Sequence, residues 1–414
     1  MSKFVKLSSI ADLTVGFVGT MAKHYEETGI KFIRSLNIKP FKIVSNDMKY
    51  ISPEFNQKIK KSILSENDVI IVRTGVPGTC SVVPKAYDGC NCSDVVIVRP
   101  DLTKVSPHYL AAYINYWGQR QISNNKVGAI QKHFNVHSAE EMLIALPCLE
   151  TQNKIARFII SINSQIENNY RINDNLQQQL KILYDYWFTQ FDFPDEKGMP
   201  YKSSGGLMVA KDKISYNIPA DWTVGNLFNN PLTTVIKPGV DIFDKKSYLA
   251  TAEVNGTDIS TGTLIEYETR ESRANMQPTV NSVWFAKMKN SIKHLYLNKE
   301  MNELVNNSIL STGFCGLQCS EDTFEYVASF IEHSYFETLK DTLAHGATQE
   351  AVNNDDLTGV SFVIPSKRVL HLFHERTQSI YFQISKNICE NQELTKLRDW
   401  LLPMLMNGQA TICD

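Results

Sequence analysis

The side chains most able to do chemistry are the cysteines, the histidines and a few carboxylate or amide clusters, and their spacing decides what each could do. Cys90-x-Cys92 and Cys315-x-x-x-Cys319 carry thiols, but they lie in opposite halves and lack the paired short spacings of a zinc site. His133 and His137 are four apart in a stretch that reads as extended, so they would not share a helical face. His371 and His374 would sit on one side of a helix, and all four read better as solvated or core histidines than as metal ligands. Pro194-Asp195-Glu196-Lys197 superficially resembles a nuclease motif, yet its carboxylates are adjacent and lie in a linker-like segment. Asn229-Asn230-Pro231-Leu232 approaches an amino-methyltransferase tetrapeptide but lacks the second proline and the aromatic. Gly-x-Gly-x-x-Gly and Walker loops are missing from the sequence. No catalytic and no metal-binding residues are expected.

What remains is charge interleaved with aromatics and amides. The whole chain of 414 residues has a net charge of only −2. By segment the balance is uneven: residues 1–147 carry 18 Lys+Arg against 12 Asp+Glu, and residues 206–365 carry 12 against 20. In the first segment the candidates for phosphate or base contact are Lys58, Lys60, Lys61, Arg73, Lys85, Lys126, Gln131 and Lys132. In the second, Arg270, Arg273, Lys287, Lys289 and Lys293 form a local cationic group within an acidic stretch, joined by Gln349 as counterpart of Gln131. Cationic side chains neutralise phosphates, and Arg, Asn and Gln can read base edges in a groove. The five cations of the second segment are expected to share one face.

These residues must be positioned by short strands and turns. SENDVIIVRTG (65–75), SVVPKAYDG and DVVIVRPD read as strand-and-turn units. SPHYLAAYINYWGQRQI (106–122) has helical spacing with Ser106 as N-cap and Pro107 at the first position. Residues 126–147 read as a loop, then strand pieces and a proline stop. In the second half KSYLATAEV, TLIEYETR and VNSVWFAKM (280–288) are strand candidates. CSEDTFEYVASFIEHSYFETLKD (319–341) reads as one helix capped by Ser320, with Phe324, Val327, Ala328 and Ile331 on one face. The hydrophobic fraction of 43% suits ordinary cores, no run of 18 apolar residues exists, and the N-terminal stretch is too polar for a signal-peptide core. Eight irregularly spaced cysteines fit reduced cytoplasmic thiols.

Two long helices organise the rest. Large or apolar residues recur at Ile155, Ile159, Ile162, Ile166, Leu176, Leu180, Leu183 and Trp187, with Asn169 and Asn173 holding the register between them. At about 1.5 Å per residue this seam spans roughly 50 Å. Adding 218 to each position gives Phe373, Thr377, Ile380, Ile384, Asn387, Asn391, Leu394, Arg398, Leu401 and Leu405, so the seam occurs twice. Gly128-Ala129-Ile130-Gln131 and Gly346-Ala347-Thr348-Gln349 obey the same offset, as do Pro147 and Pro365. Leu180-x-x-Leu183-x-Asp185 answers Leu394-x-x-Leu397-x-Asp399 at 214, about one helical turn less. The chain is two copies of one plan. If the helices pack antiparallel, the Asn pairs fix a register in which facing positions sum to 560, setting Asn169 by Asn391 and Asn173 by Asn387. Ile155 then meets Leu405, Trp187 meets Phe373, and the exceptions are Ile162 opposite Arg398 and Leu183 opposite Thr377.

With these residues in view, the sequence resembles the specificity subunit of type I restriction–modification systems. The likeness is carried by Leu146-Pro147-x-Leu149-Glu150-x-Gln152-x-Lys154-Ile155 and by Asn168-Asn169. Tyr186-Trp187-Phe188-x-x-Phe191-Asp192-Phe193-Pro194, Pro200–Gly206 and Leu397-Arg398-Asp399-Trp400-Leu401-Leu402-Pro403-x-Leu405-Met406-x-Gly408 carry it further. One departure is the second Pro-x-Leu-Glu-x-Gln, where Pro365-Ser-Lys-Arg-Val-Leu has lost the Glu and the Gln. The resemblance implies an α+β chain with two strand-rich, mixed α/β target-recognition domains, separated by two long helices in an antiparallel coiled coil with pseudo-two-fold repetition. The corresponding boundaries are 1–147 and 209–365 for the recognition domains and 148–191 and 366–408 for the helices, with a linker at 192–208 and a tail at 409–414. It implies a cytoplasmic, non-catalytic subunit that reads a bipartite, asymmetric DNA site and docks methyltransferase and restriction subunits. S-adenosylmethionine, Mg²⁺ and ATP would belong to those partners and no cofactor to this chain. An enzyme with an unseen site, a coiled-coil scaffold binding only protein, and an orphan DNA-binding protein without restriction partners remain the alternatives.

Overall fold

A computed structural model describes residues 3–118, 121, 134–347 and 349–412. The chain forms two compact units, Met1–Gln165 with Leu394–Asp414, and Ile166–Glu393. Each is built on the same plan.

In the first unit a four-stranded antiparallel sheet runs in the order Ala11–Val15, Val95–Pro100, Val69–Val72, Cys80–Val82. Val69–Val72 reads Val-Ile-Ile-Val because both faces of the strand are covered. Val69 and Ile71 face one core with Val96, Val98, Tyr109 and Leu110, while Ile70 and Val72 face another with Val95, Ile97, Ile33 and Cys92. Beside it lie Lys49–Ile51, Ile30–Ile33 and Asn91–Cys92, the first pair antiparallel and the second parallel. Lys3–Lys6 pairs with Leu143–Leu146. Helix Pro107–Tyr113 starts after Ser106 as the spacing predicts and continues as a π-helical turn over Ile114–Gly118.

The second unit repeats this topology. Thr233–Val235, Phe314–Cys319, Ser282–Ala286 and His294–Leu297 form the antiparallel sheet. Lys245–Leu249 pairs antiparallel with Thr263–Glu266 and parallel with Ser308–Ser311, and Ala274–Met276 extends that sheet. Thr223–Asn226 pairs with Ser361–Ile364 in the role of Lys3–Lys6 with Leu143–Leu146. The proline- and glycine-rich stretch after the first long helix is packed into this unit. Phe191 and Phe193 are buried, and the Phe193 ring stacks on Trp222 at 5.1 Å. The Asp192 carboxylate accepts from Ser203 N and Oγ.

Two local expectations need correction. The expected single helix over 319–341 breaks at His333, whose extended backbone (φ −70°, ψ 136°) ends helix Phe324–Glu332. Its Nδ1 accepts from Tyr335 N, so the interrupting side chain caps the next helix, Ser334–Leu343. Within 126–147, residues 126–133 lie outside the described residues, and the expected strand pieces are a helix, Val136–Glu140, followed by strand Leu143–Leu146. Asn135 starts that helix by accepting from Ser138 N at 2.8 Å. His137 is therefore helical, while His133 lies outside the described residues.

The long helices span Leu149–Tyr184, with a π-helical end at Asp185–Thr189, and Lys367–Met406. In the second unit they run antiparallel in the expected register. Asn169 Nδ2 donates to Asn391 Oδ1 at 2.9 Å, and Asn387 Nδ2 to Asn173 Oδ1 at 2.8 Å. Trp187 meets Phe373 with ring centroids 5.6 Å apart. Thr377, fully buried, satisfies its hydroxyl on Phe373 O one turn back. In the first unit Ile155 and Ile159 pack in one core with Leu402 and Leu405. Arg398 leaves Ile162 buried and reaches Asn163 Oδ1 at 2.9 Å.

Candidate nucleic-acid interface

The cations of the first unit sit on turns held by buried amides. Lys58 closes helix Pro53–Lys58, and Lys60 and Lys61 lie on the following 3₁₀ turn, all three exposed. Asn56, on the buried side of that helix, accepts from Asn91 Nδ2 at 2.8 Å and donates to Gly89 O. Arg99 holds the same turn through Lys61 O and Ile63 O. Lys85 is exposed at the start of a second 3₁₀ turn, Lys85–Tyr87. Arg73 is half-buried. Its backbone N–H donates to Asp94 O, and its Nε to Phe134 O at 3.2 Å. Lys126, Gln131 and Lys132 lie outside the described residues.

In the second unit the backbone knits three of the five predicted cations around one two-residue turn, Thr312-Gly313. Thr312 N donates to Arg273 O, Lys287 N to Gly313 O, and Ala286 N to Lys293 O, each at 2.9–3.0 Å. The Lys293 ammonium donates to Thr251 O, and Thr251 lies against Gly313. Lys289 shares the Lys287–Lys293 connection but is ion-paired to Glu350 at 2.6 Å. Arg270 is engaged on its own loop, with its guanidinium 3.9 Å from the Tyr267 ring centroid and donating to Tyr267 O. Gln349 is exposed on a loop closed by paired hydrogen bonds between His345 and Ala351. That loop is tied to the same connection by Lys289 N to Glu350 O and Val352 N to Lys287 O. Its Gly346 has φ +139°, and a Cβ there would lie 2.4 Å from Gln349 O, so the turn requires glycine.

A buried charge cluster fixes the strand that follows Lys293. His294, 1% exposed, places Nδ1 3.0 Å from Glu332 Oε2 and Nε2 2.9 Å from Glu337 Oε1. Both ring nitrogens face carboxylates, an arrangement that favours donation from both and hence the imidazolium. Burial alone pushes its pKa down, but the two carboxylates outweigh burial and leave it raised. Lys340, fully buried, closes the cluster with Glu337 at 2.7 Å and Ser291 O at 3.0 Å. Sequence reasoning missed this group. Its only local signal is the Glu337–Lys340 spacing.

The Gln152 of the sequence motif has a structural task. Fully buried, it accepts from Ser106 N at 2.9 Å and donates to Lys104 O and Pro147 O. The second copy has Leu370, buried, at that position, and Ser320 N is satisfied by Thr323 Oγ1 at 3.0 Å instead. The missing Gln is thus replaced by a cap three residues away.

Among the described residues no group of three or more His, Cys, Asp or Glu could hold a metal ion, and no helix is long and apolar enough to cross a membrane. His371 and His374 are instead paired with Asp322 and Glu325. A strand-rich module is present twice, each copy joined to a long helix and carrying cations on framework turns. Residues 2–178 match the type I restriction modification DNA specificity domain. The chain is 21% identical over 379 residues to the HindI specificity subunit of Haemophilus influenzae, covering 76% of this chain and 80% of that one. It is 23% identical over 290 residues to the MjaIX specificity subunit of Methanocaldococcus jannaschii, covering 66% and 62%. The crystal structure of the type I restriction–modification system S subunit from M. genitalium has a similar fold, with TM-score 0.51 and 12% identity over 97% of this chain and 95% of that one. The chain is thus similar to type I restriction–modification specificity subunits, and the match to the DNA specificity domain covers residues 2–178.

Proposed function

We propose that each unit presents one target-recognition module to duplex DNA, so that the chain reads a bipartite, asymmetric site. The reading is carried by one observation: the same strand order occurs in both units, and cations stand on turns of both. Two copies with different surface residues read two different half-sites. The methyltransferase and restriction subunits dock on the chain and bring S-adenosylmethionine, Mg²⁺ and ATP with them, in the cytoplasm. This chain supplies recognition and leaves the chemistry to them.

The test is methylome sequencing of cells expressing the chain with a type I methyltransferase subunit. Methylation at one two-part motif, lost when this chain is omitted, supports the reading. Robust methyl transfer by the isolated chain would overturn it. A scaffold that binds only protein would leave the methylome unchanged and show no salt-dependent DNA binding.

A further inference from the structure

The two units share a detail finer than their strand order. Arg73 is the first residue after strand Val69–Val72, and Lys287 the first after its counterpart Ser282–Ala286. Each opens a connection of seven residues to the next strand, Arg73–Thr79 and Lys287–Lys293. Each donates its backbone N–H to the last residue of a two-residue turn, Asp94 in Ser93-Asp94 and Gly313 in Thr312-Gly313. Each turn joins a strand paired in parallel, Asn91–Cys92 or Ser308–Ser311, to an inner strand of the all-antiparallel four-stranded sheet. Each basic residue is bonded to the segment just after the repeated Gly-Ala-x-Gln sequence: Arg73 Nε to Phe134 O, and Lys287 O from Val352 N. Phe134 and Val352 stand 218 apart, the repeat offset.

The residues between these fixed points differ entirely, Thr-Gly-Val-Pro-Gly-Thr in one unit and Met-Lys-Asn-Ser-Ile-Lys in the other. At the fixed point the charge is kept while its form changes from guanidinium to ammonium. A phosphate contact needs only the charge and accepts either form, whereas the fork geometry peculiar to arginine is not kept between the two units.

Building on the DNA-reading function proposed above, we propose that Arg73 and Lys287 are equivalent phosphate anchors, one per unit. They seat the duplex in the same way in both modules and carry no sequence information. Base reading falls to side chains outside this framework position.

The experiment uses the full chain, a pool of random-sequence duplexes and a salt series, followed by sequencing of the bound fraction. Lys287→Ala should weaken binding to the whole pool and lower the slope of log affinity against log salt by about 0.9. The enriched motif should stay that of the native chain. Lys287→Arg and Arg73→Lys should keep the native slope, which separates a charge contact from a structural one. Arg73 also holds Phe134 O, so Arg73→Ala is read only beside Arg73→Lys. An unchanged slope for Lys287→Ala, or a changed motif in either half, overturns the anchor while leaving the DNA-reading function standing. No duplex binding by the native chain overturns both.

Discussion

Replacing Asn173 and Asn387 by leucine, singly and together, tests whether the amide pairs act as a pair. Asn173 is 5% and Asn387 2% exposed, and Asn387 Nδ2 has Asn173 Oδ1 as its acceptor at 2.8 Å. In Asn173→Leu that donor stays buried without a partner, while the Asn387 carbonyl keeps Gln383 Nε2 at 2.7 Å. One orphaned donor costs about 1–3 kcal/mol, offset in part by the apolar surface the new leucine buries. In Asn387→Leu the Asn173 carbonyl is orphaned instead. The double variant removes both amides and keeps both leucines, so neither penalty remains. It should be more stable than the two single effects add up to, by at least about 1 kcal/mol. The assay is urea unfolding of the four proteins followed by tryptophan emission. Trp187 on the same helix is 4% exposed and packs on Phe373, so it reports this unit. With a urea dependence of about 1–3 kcal/mol per molar, 1 kcal/mol moves the midpoint by roughly 0.3–1 M. Single effects that sum to the double within about 0.5 kcal/mol would refute the pairing.

Gln152→Leu should destabilise the first unit by about 1–3 kcal/mol, because Ser106 N, Lys104 O and Pro147 O lose their shared partner in a buried site; thermal unfolding measures it, and an unchanged midpoint counts against the capping role. The His294 cluster gives the second unit a pH dependence with two sides. The pKa of His294 is raised above its ordinary 6.5, so its contribution is complete below that value and is lost as pH climbs through the raised one. Burial pushes the Glu337 pKa up, but His294 and Lys340 bring it below its ordinary 4.5, so its contribution is complete above that value and fades as pH falls through the lowered one. His294→Gln should therefore flatten the alkaline side of a melting-temperature profile, and identical profiles above neutrality would contradict the imidazolium assignment.

The register of the long helices was legible because a buried amide can satisfy itself only on another polar group, and two Asn pairs repeated at one offset leave a single solution. Strands Val69–Val72 and Val95–Pro100 were legible as apolar runs because both faces are covered. The break at His333 was not, since the residues around it keep helical spacing and the capping group is an imidazole rather than the usual short polar side chain. Helix Val136–Glu140 is too short for periodicity to register. Of the cations, Arg273, Lys287 and Lys293 are linked through backbone bonds near one turn, but sequence clustering could not show that Lys289 is held by Glu350, 61 positions away, or Arg270 by its own loop. The His294 cluster draws on three elements, and only its Glu337–Lys340 pair is local.

The two solutions to capping Ser106 and Ser320 bear on how freely such modules could be exchanged between chains. In the second copy donor and acceptor are three residues apart, so a crossover almost anywhere between module and helix transfers the bond intact. In the first copy they are 46 apart, and a junction anywhere between Ser106 and Gln152 brings together halves that never shared the bond. A first-half module placed ahead of the second helix would meet Leu370 where it expects an amide. The backbone plan is symmetric under exchange of its halves, while the permitted cut points are not.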